Sequence, residues 1–363
     1  MKVINSKTVP KVALALGGTL FALLLGEIGL RVAPLPPLRH PQPRHLENAG
    51  KSVGLDLYPS PPAGGFDVDL RDASARARFE ADGIALGESW RRVPYAVVGR
   101  YNADRCRDAP RTPKTPGTTR VLVLGDSFAE GQGVRQHETF ARALETRLRT
   151  PARPLEVINC GRRGRDFPAL FTAFETLVAA YQPDTVVYAM VLNDAAQSTA
   201  FHARQQFLDD WIVDRRRMLA EGDDGTLPWW RSRFVTLVSD RIEARRIGTA
   251  TTAWYREMYG PDNADGWRET QGYLARMRDT MTATHGRFVV DLLPLLVDWR
   301  RGYPFDATAR EIERATRSLG IEFHDAFPAL RDRPASEWVV HPVDHHPNAA
   351  AHARIADQLA RLL

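Results

Sequence analysis

The chain has 363 residues, 44% of them hydrophobic and 26% charged, with a formal net charge of +5. This composition belongs to a globular protein and excludes a disordered or fibrous one. The basic excess is mostly arginine, in runs such as Arg162-Arg163 and Arg215-Arg-Arg217, with no interleaved aromatics and no nucleic-acid motif. Solvated faces are therefore expected, and nucleic acid is not expected as a partner.

Val12 to Leu30 is apolar apart from Glu27, 19 residues in all. That is close to the length needed to cross a bilayer. Lys2, Lys7 and Lys11 precede it, so the N-terminus is expected in the cytoplasm and the rest of the chain outside. A cleaved signal peptide is the rival reading, but no small-x-small cleavage site and no lipobox cysteine follow, which favours an uncleaved anchor. Glu27 is expected near the outer interface. The expected order is a cytoplasmic tail over 1–11, an anchor over 12–32, and a Pro/Gly-rich spacer over 33–66. An accessory segment over 67–118 follows, with one short strand at Tyr95–Val98, and then a main domain over 119–363. Two cysteines, Cys106 and Cys160, make neither a disulfide framework nor a metal site; one bridge in an oxidising compartment is the rival reading, and two separate buried thiols are expected.

From Thr119 strands alternate with helices. Strands are expected at Val121–Leu124, Leu155–Asn159, Thr185–Met190, Phe288–Leu293 and Ile321–His324. Helices are expected at His137–Arg149, with Phe140, Leu144 and Leu148 on one stripe, and at Ala169–Tyr181, Ala307–Ser318 and Ala349–Leu363. In the last helix Ile355, Leu359 and Leu362 should point inward. Such alternation gives a parallel sheet with helices on both faces. A helical insertion at about 200–284 carries Trp211, Trp229, Trp230, Trp254 and Trp267. It reads either as a lid or substrate wall, or as a subdomain whose tryptophans fill its own core.

The first three strands end in Gly125-Asp-Ser127, Asn159-Cys-Gly-Arg-Arg-Gly164 and Val191-Leu-Asn-Asp194. With strand order 2-1-3 these ends share one crevice. Ser127 is then a candidate nucleophile, and Ser127 N–H, Gly164 N–H and the Asn193 amide are candidate oxyanion donors. Val343-Asp-His-His-Pro-Asn348 supplies a base and a carboxylate to orient it. Asp126 and Asp194 read as structural, bonding turn amides. Asn348 reads as a helix N-cap, and Trp338 as a core or rim residue. The spacing of His341, His345, His346 and His352 matches no closed zinc site, so no metal is expected.

These four pieces, in this order, resemble the SGNH hydrolases, also called the GDSL esterase/lipase family. The resemblance covers 245 residues from Thr119 onward. It implies a three-layer α/β/α, flavodoxin-like fold without cofactor. It further implies Ser127 as nucleophile, His346 as base with Asp344 as its partner, and Ser127, Gly164 and Asn193 as the oxyanion hole. Gly164, five residues after Asn159, is picked over Gly161. Two departures stand out. Val191 occupies the usual glycine position of the third block, which implies an altered pocket shape. The last block is Asp-x-His rather than Asp-x-x-His, and His346 is preferred over His345 because Pro347-Asn348 follows it. The anchor and Arg100-Tyr-Asn-Ala-Asp104 resemble the membrane-anchored bacterial branch. The implied activity is hydrolysis of short-chain, acetyl-type esters. Alternatives are O-acyl transfer to a cell-envelope polysaccharide, or an anchored binding protein without turnover.

Overall fold

A computed structural model describes residues 8–32, 67–69, 73–74, 77, 97–99, 101–110, 112–164, 167–204, 232–341 and 344–363. The spacer over 33–66, Trp211, Trp229, Trp230 and Arg215–Arg217 lie outside the described residues. The chain forms two compact units, Met1–Pro41 with Arg204–Ala253, and Gln42–Ala203 with Trp254–Leu363.

In the first unit, helix α1 spans Thr8–Val32. Its stretch Leu14–Val32 is long and apolar enough to cross a membrane. The second unit begins with an antiparallel pair, β1 (Asp67–Asp69) and β2 (Val97–Gly99). The main sheet follows with β3 (Thr119–Gly125), β4 (Leu155–Asn159), β5 (Thr185–Met190), β6 (Arg287–Leu292) and β7 (Glu322–Asp325). Its order is β4-β3-β5-β6-β7, and every pair is parallel. The expected 2-1-3 arrangement is the observed one. β3 and β5 are buried throughout or nearly so, which is why both read as unbroken apolar runs, whereas edge strand β4 alternates.

Further helices are α2 (Ser127–Glu130), α3 (Phe140–Leu148), α4 (Phe167–Tyr181), α5 (Arg233–Glu257), α6 (Ala264–Ala283), α7 (Asp306–Ser318) and α8 (Ala349–Leu359). α3 packs on α8 and β4, and α4 packs on α6 and β3, so the sheet is covered by helices in a three-layer α/β/α fold. Phe140, Leu144, Ile355 and Leu359 are completely buried. Each stabilises the fold by about 1.5–3 kcal/mol. Leu362, expected inward, is 45% exposed, because α8 ends at Leu359 and the chain leaves helical phase. Within the segment read as an insertion, α6 packs on β6 as the crossover helix between β5 and β6. Trp254 and Trp267 are buried, ringed by Phe201 and Tyr255, and by Tyr259, respectively. These two tryptophans are core residues of the second unit rather than of a separate helical subdomain.

The two cysteines are not separate thiols. Cys106 and Cys160 form a disulfide across 54 residues. The 101–110 segment has no periodic pattern, so its place could not be read. It lies against the end of β4, where Asp108 Oδ2 accepts from Asn159 N at 3.0 Å, and this brings Cys106 to Cys160. The last block forms an antiparallel ribbon, β8 (Val339–His341) and β9 (Asp344–Pro347), which packs against α2. Asn348 caps α8 through Oδ1, which accepts from Ala351 N at 3.0 Å. Trp338 is a core residue whose Nε1 donates to Leu330 O at 2.7 Å.

Candidate active site

The site lies beyond the carboxyl ends of β3, β4 and β5, where the connections from β3 diverge to its two neighbours. β3 ends at Gly125, at φ +148°. A Cβ there would lie 2.5 Å from Ala189 O and 2.8 Å from Ala129 Cβ, so only glycine lets α2 fold back over β5. Asp126 is buried and caps α2, its Oδ1 accepting from Phe128 N at 2.8 Å. Burial pushes the Asp126 carboxyl up, and the Phe128 N–H and the nearby His346 only partly offset this. Ser127 is the first residue of α2.

Ser127 Oγ lies 2.7 Å from His346 Nε2, across 219 residues of sequence. The Phe128 ring leans on the imidazole, with centroids 5.1 Å apart. The Gln132 amide stands on the other side of the imidazole, its Nε2 3.3 Å from His346 Nδ1. The backbone of Asp344 stands two positions before His346 on β9, and its side chain lies outside the described residues. His345, the neighbouring histidine, is exposed.

The other strand ends frame Ser127. After β4, Cys160 N donates to Val123 O and Arg162 N to Gly125 O, both at 2.9 Å. Gly161 is a packing glycine, since a Cβ there would lie 2.3 Å from Glu130 N. Gly164 has left-handed backbone at φ +67° and open space where a Cβ would be. After β5, Asn193 Nδ2 donates to Asp126 Oδ2 at 3.4 Å. Asp194 buttresses this turn, its Oδ2 accepting from Tyr188 OH at 2.7 Å and Val191 N at 2.8 Å.

Arg163 departs from the expectation of a solvated face. The Glu130 carboxylate accepts from Arg163 N at 2.7 Å, Nε at 3.0 Å and Nη2 at 2.5 Å, and from Tyr101 OH. Glu130 is completely buried. Burial raises its pKa, but the Arg163 charge and hydrogen bonds more than offset this, and the carboxyl lies below its ordinary value. Arg107 covers the end of α2, donating to Glu130 O at 2.9 Å, Gly131 O at 2.6 Å and Val134 O at 2.7 Å. The network ties the loop that carries Gly164 to the helix that carries Ser127. Charged residues in an arginine run carry no sequence signal for such pairing. Gln132 was equally silent, being one polar residue in a turn.

No family model and no curated protein matches this chain. Among solved structures the chain is similar to Axe2, an acetylxylan esterase from Geobacillus stearothermophilus (14% identity, TM-score 0.40, 68% of this chain and 95% of that one). It is also similar to a member of the lipolytic protein G-D-S-L family from Veillonella parvula DSM 2008 (11%, 0.38, 68% and 98%). A third is the psychrotrophic esterase EstA from Pseudoalteromonas sp. (13%, 0.38, 66% and 94%). The fold stands on the sheet described above rather than on these likenesses.

Proposed function

We propose that this chain is a membrane-anchored serine esterase of the SGNH type that cleaves acetyl-type carboxylic esters. One observation carries the reading: Ser127 Oγ within 2.7 Å of His346 Nε2 at the carboxyl end of β3. A serine hydroxyl is a weak nucleophile at neutral pH and needs such a base. His346 takes the Ser127 proton as Oγ attacks the ester carbonyl. The oxyanion is held by Ser127 N–H, Gly164 N–H and Asn193. An amide nitrogen carries two hydrogens, so the bond from Asn193 to Asp126 leaves its second for substrate. His346 returns the proton to the departing alkoxide, leaving an acyl-serine. Water, deprotonated by His346, attacks the acyl carbon, Ser127 leaves with that proton, and the acid is released. Asp344 is assigned to hold His346 through Nδ1–H.

The span Leu14–Val32 supports anchoring. The Cys106–Cys160 disulfide supports an oxidising compartment, hence an extracytoplasmic second unit. The test is p-nitrophenyl acetate hydrolysis by the full chain in detergent beside Ser127→Ala. The expected result is turnover that falls at least about 10³-fold in the variant. Equal turnover in both would refute the reading.

A further inference from the structure

Glu27 interrupts an otherwise apolar span, and its partners are in the first unit. Its carboxylate accepts from Ser232 Oγ at 2.8 Å, Arg233 N at 2.9 Å and Phe234 N at 3.0 Å, and pairs with Arg31 at 2.7 Å. Arg233 Nη1 also donates to Leu30 O at 3.3 Å. Glu27 therefore caps α5, satisfying first-turn amides that a helix leaves open. These bonds in turn satisfy a carboxylate on an apolar helix. Glu27 is five residues from Val32, about 7.5 Å along the helix at ~1.5 Å per residue.

The helix that starts there exposes an apolar stripe. Phe234, Val235, Val238 and Ile242 are spaced to share one side of its first turns. Val235 is 63% and Ile242 50% exposed, in the same unit as the exposed apolar residues of α1. Arg241, Arg245 and Arg246 are exposed at the far end of the stripe. Helices that lie in a bilayer interface bury an apolar face about 5–10 Å below the headgroups and keep basic residues among them. The depth of Glu27 matches that range, and the arginines complement lipid phosphates.

We infer that Phe234–Ile242 of α5 lies in the interfacial layer of the same bilayer that α1 crosses, clipped to α1 by Glu27. Its apolar stripe contacts acyl chains, and Arg241, Arg245 and Arg246 contact anionic headgroups. The inference rests on the anchored reading above.

The test uses the full chain, disulfide intact, in vesicles of phosphatidylcholine with a minority of phosphatidylglycerol. Nitroxides are placed at single introduced cysteines, Leu20→Cys, Val238→Cys and Arg268→Cys, and their collisions with oxygen and with a water-soluble nickel chelate are measured. The expected result is loss of nickel collisions at Leu20 and Val238 but not at exposed Arg268. Leu20 in lipid with Val238 in water would overturn the inference and leave the anchor standing. Leu20 in water would remove the anchor, and the inference with it. Spin–spin broadening at Val238 without lipid contact would assign the stripe to a second copy, and overturn it as well. In Glu27→Gln the Val238 label should shift toward the nickel chelate. No shift would refute the clip.

Discussion

Ser127 and His346 are side chains that the sequence names readily, because each sits in a short block with a glycine or a proline beside it. Gln132 is different. It stands at Nδ1 of His346, the nitrogen whose proton fixes the tautomer, and nothing in its own neighbourhood marks it. For His346 to accept through Nε2, Nδ1 must carry its hydrogen, which a Gln132 amide turned to present Oε1 shares with the Asp344 carboxylate proposed for it. Gln132→Leu should lower kcat about threefold to tenfold, the worth of one hydrogen bond, with KM unchanged. Gln132→Glu, which keeps an acceptor, should retain most of the rate. Steady-state kinetics on the two variants checks this, and a change confined to KM would contradict it.

Among the elements, the strands were the most legible. β5 begins and ends where its apolar run does, and β4 where its alternation does, since each is closed by a turn or a polar residue. The helices of the second unit were legible wherever one face was apolar. Loops tied by charge were not. Glu130 and Arg163 look like ordinary surface residues until the loop after β4 lays a half-buried Arg163 on the buried Glu130 of α2. His352 shows the same limit. It is buried on α8, where Nδ1 accepts from Phe140 N at the start of α3 at 3.2 Å. Burial, with Arg107 nearby, depresses its pKa to about 3. The unfolded chain binds this proton below about pH 6.5, while the folded one refuses it until about pH 3. Stability therefore falls as pH drops through that window, by about 1.4 kcal/mol per pH unit at its steepest. His352→Asn, which keeps the acceptor and loses the titration, should flatten that part of the profile in denaturant titrations from pH 7 to pH 4. An unchanged profile would contradict this account of α8 against α3.

The second unit rests on a five-stranded sheet that gathers three strand ends, and on a covalent tie the sequence did not disclose. The disulfide fixes the 101–110 segment to β4 and closes a 54-residue separation. Chain-entropy reasoning puts its worth at about 4 kcal/mol. Replacing both cysteines by serine should lower the unfolding free energy by about that amount, read from urea midpoints at a constant slope. A loss below about 1 kcal/mol would mean that the segment is held by its hydrogen bonds alone. The same bond is what supports the oxidising compartment proposed above, since a disulfide persists where thiols are not kept reduced.

The central claim is that Ser127 is a nucleophile activated by His346. The most direct measurement is intact-protein and peptide mass after exposure to a fluorophosphonate, which phosphonylates an activated serine and releases fluoride. The account predicts one adduct per chain, mapped to Ser127, absent in Ser127→Ala and formed about 10²–10⁴-fold more slowly in His346→Ala. An adduct on another serine, or an equal labelling rate without His346, would contradict it.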